Sequence, residues 1–427
     1  MLIRVFWFYF YFMVTDGFGF RDDSWGGFGV SSFGLFGILQ LFFGIIVVIS
    51  IIPGLIVLIK NAKDSLGRLA LLYGLIPFYM VLVSFVYGFI GNNFAVSQIY
   101  ESMTQMQFFL TFYIAILLIY RRKGLKIAIN SMGLYSVIFA ISLLLIYIFD
   151  IQSNVVTILM SDDATRSLRI IIPAPILLFT GACLFFARYL ISKGLLNLFL
   201  SIICIFVSTL QLHRGVLIGT IAVIFTYVWL NRYNSKILYI YSILLIVGFV
   251  LVVNGDSIFD YTSSSIFDYT SSSILEMLEV AGNFGHRVFV ILNSFEYIIS
   301  NTLGLGVGVV WEYVTDFELY LMNAFIAGPT YDSTYANVII LLGFPGVLLL
   351  SYLAVSLHRL FKLLQAKSNP TFIITMGFFL GPLSIYLMLI SVTSDILFLE
   401  NSSAIVAVIF AISFRLHKLI QYRNKLT

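Results

Sequence analysis

The sequence predicts an all-α polytopic membrane protein with about twelve transmembrane helices and one large external loop. Of its 427 residues, 60% are hydrophobic and only 10% are charged, and the mean hydropathy is +1.03. Soluble globular domains carry roughly 25% charged residues, so this class is excluded. Apolar runs near or above the roughly 20 residues that cross a bilayer recur along the chain. The placement of the lysines and arginines, described below, is the third observation that predicts a polytopic membrane protein.

The predicted helices are apolar runs bounded by polar clusters. Their ranges are 3–20, 33–59, 69–91, 103–120, 127–149, 170–191, 195–211, 215–230, 237–253, 334–357, 371–391 and 402–415. The stretch 195–230 is about twice the length that a bilayer needs. We interpret it as two helices with a tip at Arg214. No small-residue cleavage site follows the first run, so we expect an uncleaved span.

The basic residues predict the orientation, because lysine and arginine favour the cytoplasmic side. With both termini in the cytoplasm, 19 of the 24 basic residues, including every lysine, fall on that side, and Asp64 is the only acidic residue there. Residues 1–253 then hold helices 1–9, residues 254–333 form the large external loop, and residues 334–427 hold helices 10–12 and a cytoplasmic tail.

Some arginines stay outside against this bias, so another requirement must keep them there. They are Arg21, Arg166, Arg169, Arg214 and Arg287. Arginine keeps its charge and offers a fixed fork of donors that suits phosphate oxygens. We favour a functional role for Arg214 and Arg287, whereas the others can also pair with neighbouring carboxylates or extend to the membrane interface.

The external loop combines a repeat, an amphipathic helix and a glycine cluster. The sequence IFDYTSSS occurs twice in succession from Ile258 to Ser273, which is typical of a tolerant loop. Apolar residues at helical spacing over 284–300 predict a helix on the outer membrane face, with Arg287 in its first turn. Three glycines follow and allow the backbone to turn or to approach another group closely. They are Gly304, Gly306 and Gly308.

No disulfide, metal or other cofactor is expected. Cys183 and Cys204 lie in apolar runs, where core packing is the simplest explanation. Neither His213 nor His286 has a second histidine or cysteine at ligand spacing. The paired aspartates of the outer loops are more typical of a solvated surface than of a cation site.

A short motif stands at the beginning of the tenth predicted helix. Asp332-Ser333 is followed by nine residues and then by Gly343-Phe-Pro-Gly346. This pattern resembles the signature of O-antigen ligases and of the related Wzy-type O-antigen and capsule repeat-unit polymerases. In that signature a His-Asn/Ser pair, nine residues and Gly-x-x-Gly follow the large periplasmic loop. Asp332 stands where the ligases have histidine, which favours the polymerase.

Two further features are similar to this family. Arg214-Gly215 resembles its Arg-Gly at a periplasmic helix start, and Arg287 with the Leu303–Gly308 segment resembles its arginine and downstream Gly-x-Gly. The resemblance covers almost the full length. It implies a GT-C-like glycosyltransferase in the bacterial inner membrane that acts in the periplasm on undecaprenyl-pyrophosphate-linked oligosaccharides. A chain-length regulator and a flippase are the implied partners.

The chemistry of such a polymerase agrees with these residues. Fixed cations would stabilise the departing diphosphate, and a carboxylate would accept the proton of the attacking hydroxyl. The predicted catalytic residues are Arg287 and Arg214 for the first role and Asp332 for the second, although Asp332 is also suited to cap a helix. The predicted substrate-binding residues are Arg166, Arg169, His286, Gly304, Gly306, Gly308 and Tyr335.

The alternatives are a lipid-linked oligosaccharide flippase or other transporter, a peptidoglycan-type glycosyltransferase, and the ligase itself. A transporter should place ionisable residues within its spans and show two-fold internal similarity. The predicted spans hold almost no ionisable residues, and neither half of the chain repeats the other. These features favour an enzyme. The net charge of +4 carries no information about nucleic acid, which is not an expected partner.

Overall fold

Helices make up nearly all of the described structure. This computed structural model describes residues 2–15, 35–91, 110–121, 123–148, 157–158, 170–171, 175–209, 223, 302–304, 306, 334–364, 370–393 and 400–424. In chain order the elements are α1 (Leu2–Val14), α2 (Leu35–Asn61), α3 (Ser65–Gly91), α4 (Leu110–Tyr120), α5 (Gly124–Ile148), β1 (Thr157–Ile158), β2 (Ile170–Ile171), α6 (Pro175–Ser192), α7 (Leu195–Thr209), α8 (Thr334–Leu364), α9 (Thr371–Thr393) and α10 (Glu400–Asn424).

Five helices of the described part are long and apolar enough to cross a membrane. The candidate spans are Leu41–Asn61, Ser65–Val86, Gly124–Leu145, Thr371–Ser391 and Ser402–Arg423. Shorter apolar stretches lie in α1, α4, α6, α7 and α8. Large apolar side chains such as Ile49 and Ile52 of α2 are exposed, as a lipid-facing surface requires. The predicted helical membrane character therefore holds for the described part, while the total of about twelve spans stays a prediction.

The predicted helix at 170–191 begins later than expected, at Pro175. Ile170 and Ile171 form β2 instead, which pairs antiparallel with Thr157–Ile158. Adjacent isoleucines favour an extended backbone, and a proline restricts the residue before it to extended conformations. Both effects act on the sequence IIIPAP. Pro175 itself suits the first position of a helix, where its missing N–H is not needed.

Two helices continue beyond their predicted ends. α8 runs to Leu364 instead of 357, and α10 runs to Asn424 instead of 415. Buried side chains explain both extensions, since Leu364 in α8 and Leu416 and Ile420 in α10 remain in the interior. The predicted ends lie earlier because the predicted helices are apolar runs, and lysines and arginines occur in these last turns.

Several predicted features lie outside the described residues. They are the hairpin tip at Arg214, the helix at 215–230 apart from Val223, the helix at 237–253, the repeat at 258–273 and the amphipathic helix at 284–300. The division of the chain into residues 1–253, 254–333 and 334–427 likewise stays a prediction.

Two compact units are distinguished by their internal packing. One comprises Met1–Gly37, Lys126–His286 and Phe361–Ile390, and the other comprises Ile38–Leu125, Arg287–Leu360 and Ser391–Thr427. In the first unit, α6 and α7 form a hairpin in which Ser201 Oγ donates a hydrogen bond to Ala182 O at 2.9 Å.

Aromatic side chains hold the second unit together. Tyr73 of α3 contacts Phe112 of α4 and Phe410 of α10, with ring centroids 4.9 and 4.8 Å apart. Tyr113 Oη donates a hydrogen bond to Gly74 O of α3 at 2.5 Å. These contacts fix α3, which forms one wall of the candidate site.

Candidate functional site

The described structure contains part of the predicted site. Gly304, Gly306 and Tyr335 are described. The remaining predicted residues lie outside the described ranges, so their roles stay predictions. They are Asp332, Arg287, Arg214, Arg166, Arg169, His286 and Gly308.

The helix that follows Asp332 in the chain is broken at Gly343. Gly343 has φ 61° and ψ −144° within α8, a conformation that glycine adopts readily and other residues rarely adopt. Pro345 has no N–H and cannot donate to Leu341 O, as a continuing helix would require. The break therefore leaves backbone groups on both half-helices that need partners from elsewhere.

A short segment of the predicted external loop supplies these partners. We call Thr302, Leu303, Gly304 and Gly306 the docking segment. Gly306 N donates a hydrogen bond to Leu341 O at 3.0 Å, and Phe344 N donates one to Thr302 O at 2.9 Å. The docking segment and the break in α8 thus cap each other, because each supplies a donor and an acceptor.

α3 contacts the docking segment as well. Tyr79 Oη donates a hydrogen bond to Leu303 O at 2.8 Å, across a separation of 224 residues in the chain. A Cβ placed on Gly306 would lie 2.5 Å from both Met80 O and Ser84 Oγ. Sequence reasoning missed Tyr79 and Ser84, because both lie in a continuous apolar run that carries no motif.

Only glycine fits at the contact between the docking segment and the break. Gly304 and Gly306 have φ 77° and 68°. A Cβ on Gly304 would lie 2.5 Å from both Gly343 N and Leu341 O, and a Cβ on Gly343 would collide with Gly304 N in return. The predicted close approach of the backbone is therefore confirmed at both glycines of the segment. Their predicted role in binding substrate stays a prediction.

The described part of α8 begins at Thr334, two residues after Asp332 in the sequence. Thr334 and Asn337 are buried, and Tyr335 is partly buried, which indicates that protein encloses this end of α8. Asp332 and Ser333 lie outside the described residues, so the capping explanation and the catalytic role of Asp332 both stay predictions.

Apart from the predicted site, a polar cluster surrounds Asp64, in the turn between α2 and α3. Its carboxylate accepts a hydrogen bond from Gly67 N at 2.6 Å and pairs with Lys418 of α10, and His417 Nε2 lies 3.6 Å away. Lys418 Nζ also donates to Asn61 O at 2.8 Å. Burial raises the pKa of Asp64, but the hydrogen bonds from Lys418 and Gly67 and the neighbouring positive charge outweigh it, so this pKa is lowered.

No group of three His, Cys, Asp or Glu side chains is placed to hold a metal ion within the ranges that the structure describes. The paired aspartates of the outer loops, Asp22-Asp23 and Asp162-Asp163, lie outside those ranges, as do Asp332 and His286. The expectation of a metal-independent enzyme is therefore not tested.

Comparison with known proteins leaves the family open: no family model and no curated protein matches the chain. The likeness to O-antigen polymerases and ligases thus rests on the sequence motifs. What the structure adds is that the glycines of two of these motifs are in direct contact.

Proposed function

We propose that this protein is a membrane glycosyltransferase of the Wzy type. It joins undecaprenyl-pyrophosphate-linked oligosaccharide repeat units into O-antigen or capsule polysaccharide. It crosses the bacterial cytoplasmic membrane about twelve times in a GT-C-like arrangement. Both termini are cytoplasmic, and the active face is periplasmic. It uses no metal or cofactor, and it works with a flippase and a chain-length regulator.

The contact between the two glycine motifs is the observation that carries this proposal. The Gly-x-Gly segment follows Arg287 in the chain, and the Gly-x-x-Gly of α8 follows Asp332. Two backbone hydrogen bonds connect these segments. A cluster of glycines that serves only as a linker needs no such partner. The contact supports a framework in which Arg287 and Asp332 act at one site.

The proposed reaction transfers a glycan between two lipid-linked substrates. The bond between the anomeric carbon of the growing glycan and the diphosphate oxygen breaks, and undecaprenyl pyrophosphate leaves with the electron pair. Arg287 and Arg214 stabilise its negative charge. A hydroxyl of the acceptor repeat unit forms the new bond to the anomeric carbon, and Asp332 accepts its proton.

The distribution of charge argues against the transporter alternative. In the described helices, Asp, Glu, Lys and Arg lie within six residues of a helix end, apart from Arg415, which lies nine residues before the end of α10. Transporters commonly hold ionisable residues near the middle of the membrane. The ligase alternative is disfavoured by Asp332, which stands where the ligases have histidine.

Deletion of the gene followed by complementation tests the proposal, with surface polysaccharide viewed as a ladder on a gel. A polymerase deletion removes the ladder and leaves a single capped repeat. Loss of every repeat, including the single one, would instead indicate a flippase or a ligase and would refute the polymerase.

Arg287→Ala and Asp332→Ala should abolish the ladder at unchanged protein levels. Arg287→Lys should also be severely impaired, because a lysine ammonium keeps the charge but loses the two-pronged geometry that suits a diphosphate. The measurement is ladder formation in the deletion strain, with immunoblots for protein level. Full activity of Arg287→Lys would contradict diphosphate binding by this residue.

A further inference from the structure

The docking segment contacts parts of α3 and α8 that belong to their apolar stretches. Tyr79 lies within the candidate span Ser65–Val86, about 10 Å from its end at Val86 for a rise of roughly 1.5 Å per residue. Leu341 and Phe344 lie within the apolar stretch Asn337–Leu353, about 6 and 10 Å from its start. A loop that lies wholly in the aqueous phase would contact the ends of these helices instead.

Three backbone groups of the docking segment have hydrogen-bond partners elsewhere in the protein. Non-helical chain at membrane depth is tolerated only where the protein or a water-filled cavity supplies partners for its polar groups. Thr302 O accepts from Phe344 N, Gly306 N donates to Leu341 O, and Leu303 O accepts from Tyr79 Oη. For these three backbone groups, the partners that a placement within the bilayer requires are present.

The side chains beside these bonds are apolar and face outward. Leu303 is 50% exposed, and Phe344, at the break in α8, is 49% exposed. On α3, Leu82 is 61% exposed. In water, exposed leucine and phenylalanine side chains forgo the favourable free energy of burial. In contact with lipid, the same exposure carries no such free-energy cost.

We propose that the docking segment is a re-entrant segment at the depth of the outer leaflet, and that Tyr79 is the residue that positions it. The Tyr79–Leu303 bond is exposed on the protein surface. In lipid no water molecule can replace the phenol as a partner for this carbonyl group, so the bond holds the segment in place.

The role of this depth in catalysis rests on the proposed function. The diphosphate of a polyprenyl carrier lies where the headgroups meet the acyl chains. A re-entrant segment there carries the chain that follows Arg287 down to this level. Tyr79 then acts on the reaction through the position of the segment and not by contact with the reacting atoms.

Immersion of the segment is tested by nitroxide accessibility in reconstituted vesicles. Cys183 and Cys204, both buried, are replaced by alanine, and a spin label is attached at Leu303→Cys. Leu82→Cys serves as the reference for a lipid-facing site, and Ser264→Cys, in the loop repeat, as the aqueous reference. Contact with dissolved oxygen, which concentrates in the bilayer, is compared with contact with a water-soluble nickel chelate.

We expect the label at Leu303 to resemble the label at Leu82, with high contact with oxygen and low contact with nickel. A label at Leu303 that resembles Ser264 would overturn the re-entrant placement. The experiment needs no enzymatic activity. Failure of the proposed function would therefore leave this result standing, and failure of this result would not by itself refute the polymerase.

The positioning role of Tyr79 is tested with Tyr79→Phe and a matched control, Tyr352→Phe. Tyr352 Oη of α8 donates to Ser65 O of α3 at 2.6 Å, so each variant loses one phenol-to-carbonyl bond that involves α3. Only Tyr79→Phe should mobilise the label at Leu303 and raise its contact with nickel, and it should slow polymerisation about fivefold. Equal label spectra in the two variants would overturn the positioning role, whether or not polymer is made.

Discussion

At the residue scale, Gly304 and Gly343 each occupy space that a side chain on the other would need. Both have positive φ angles, so a substitution at either residue combines backbone strain with a steric collision. Because the collision involves backbone atoms on both sides, a rotamer change in a flexible side chain cannot relieve it. Gly306 shares both properties, since its φ is also positive and a Cβ there would lie 2.5 Å from Met80 O.

Gly343→Ala should lower the free energy of unfolding by at least about 1–3 kcal/mol, the cost of a residue held in a sparsely populated conformation. Gly194→Ala is the control, because a Cβ there meets Asn197 Nδ2 at an ordinary 3.4 Å. Thermal unfolding of the purified protein in detergent measures both variants. Equal melting temperatures would show that the break in α8 does not depend on Gly343.

The sequence predicts one continuous helix over 334–357, so neither the break in α8 nor the partner of the break is predicted. Gly343 and Pro345 lie close together within an apolar run, where such residues can interrupt helical hydrogen bonding. However, Pro53 and Pro382 lie beside glycines in helices that have no such break. The bond from Tyr79 to Leu303 spans 224 residues. No periodicity or motif indicates which helix a loop will contact at that distance.

At the scale of whole elements, Asp64 joins the start of α3 to the end of α10. It is the only carboxylate predicted on the cytoplasmic side, so it is also the only acidic side chain there to pair with the many basic residues. Its cytoplasmic location stays a prediction, whereas its partner Lys418 lies in the part of α10 beyond the predicted end at 415. The extension and the ion pair therefore support each other.

Removal of the Asp64–Lys418 pair should weaken the attachment of α10. We expect a coupling free energy of about 1 kcal/mol or less, as is usual for partly exposed pairs. A double-mutant cycle with Asp64→Asn and Lys418→Met, followed by thermal unfolding, measures it. Additive effects of the two substitutions would show that the two side chains contribute independently.

The same pair should make the stability depend on pH. The pKa of Asp64 is lowered in the folded protein, so its contribution is fully present above the ordinary pKa of an aspartate. It is lost as the pH falls below that value and the carboxylate becomes protonated. Melting temperatures measured across this acidic range should fall less for Asp64→Asn than for the wild type. A larger fall for the variant would contradict this sign.

At the scale of the whole molecule, the proposed function requires the external loop to face the periplasm. Phosphatase fusions after Ser264 should be active, because that enzyme folds in the periplasm, and fusions after Lys123, between α4 and α5, should be inactive. The charge distribution predicts this orientation. An active fusion after Lys123 together with an inactive one after Ser264 would reverse the topology and remove Arg287 from the periplasmic face.

Transfer of glycan from a diphosphate carrier is the central claim, and reconstitution of the purified protein tests it most directly. Vesicles that contain the protein and undecaprenyl-pyrophosphate-linked repeat units should accumulate polymer and release one undecaprenyl pyrophosphate for each new glycosidic bond. Arg287→Lys in the same vesicles should release little. Movement of intact lipid-linked repeats across the bilayer without bond formation would contradict the account and identify a transporter.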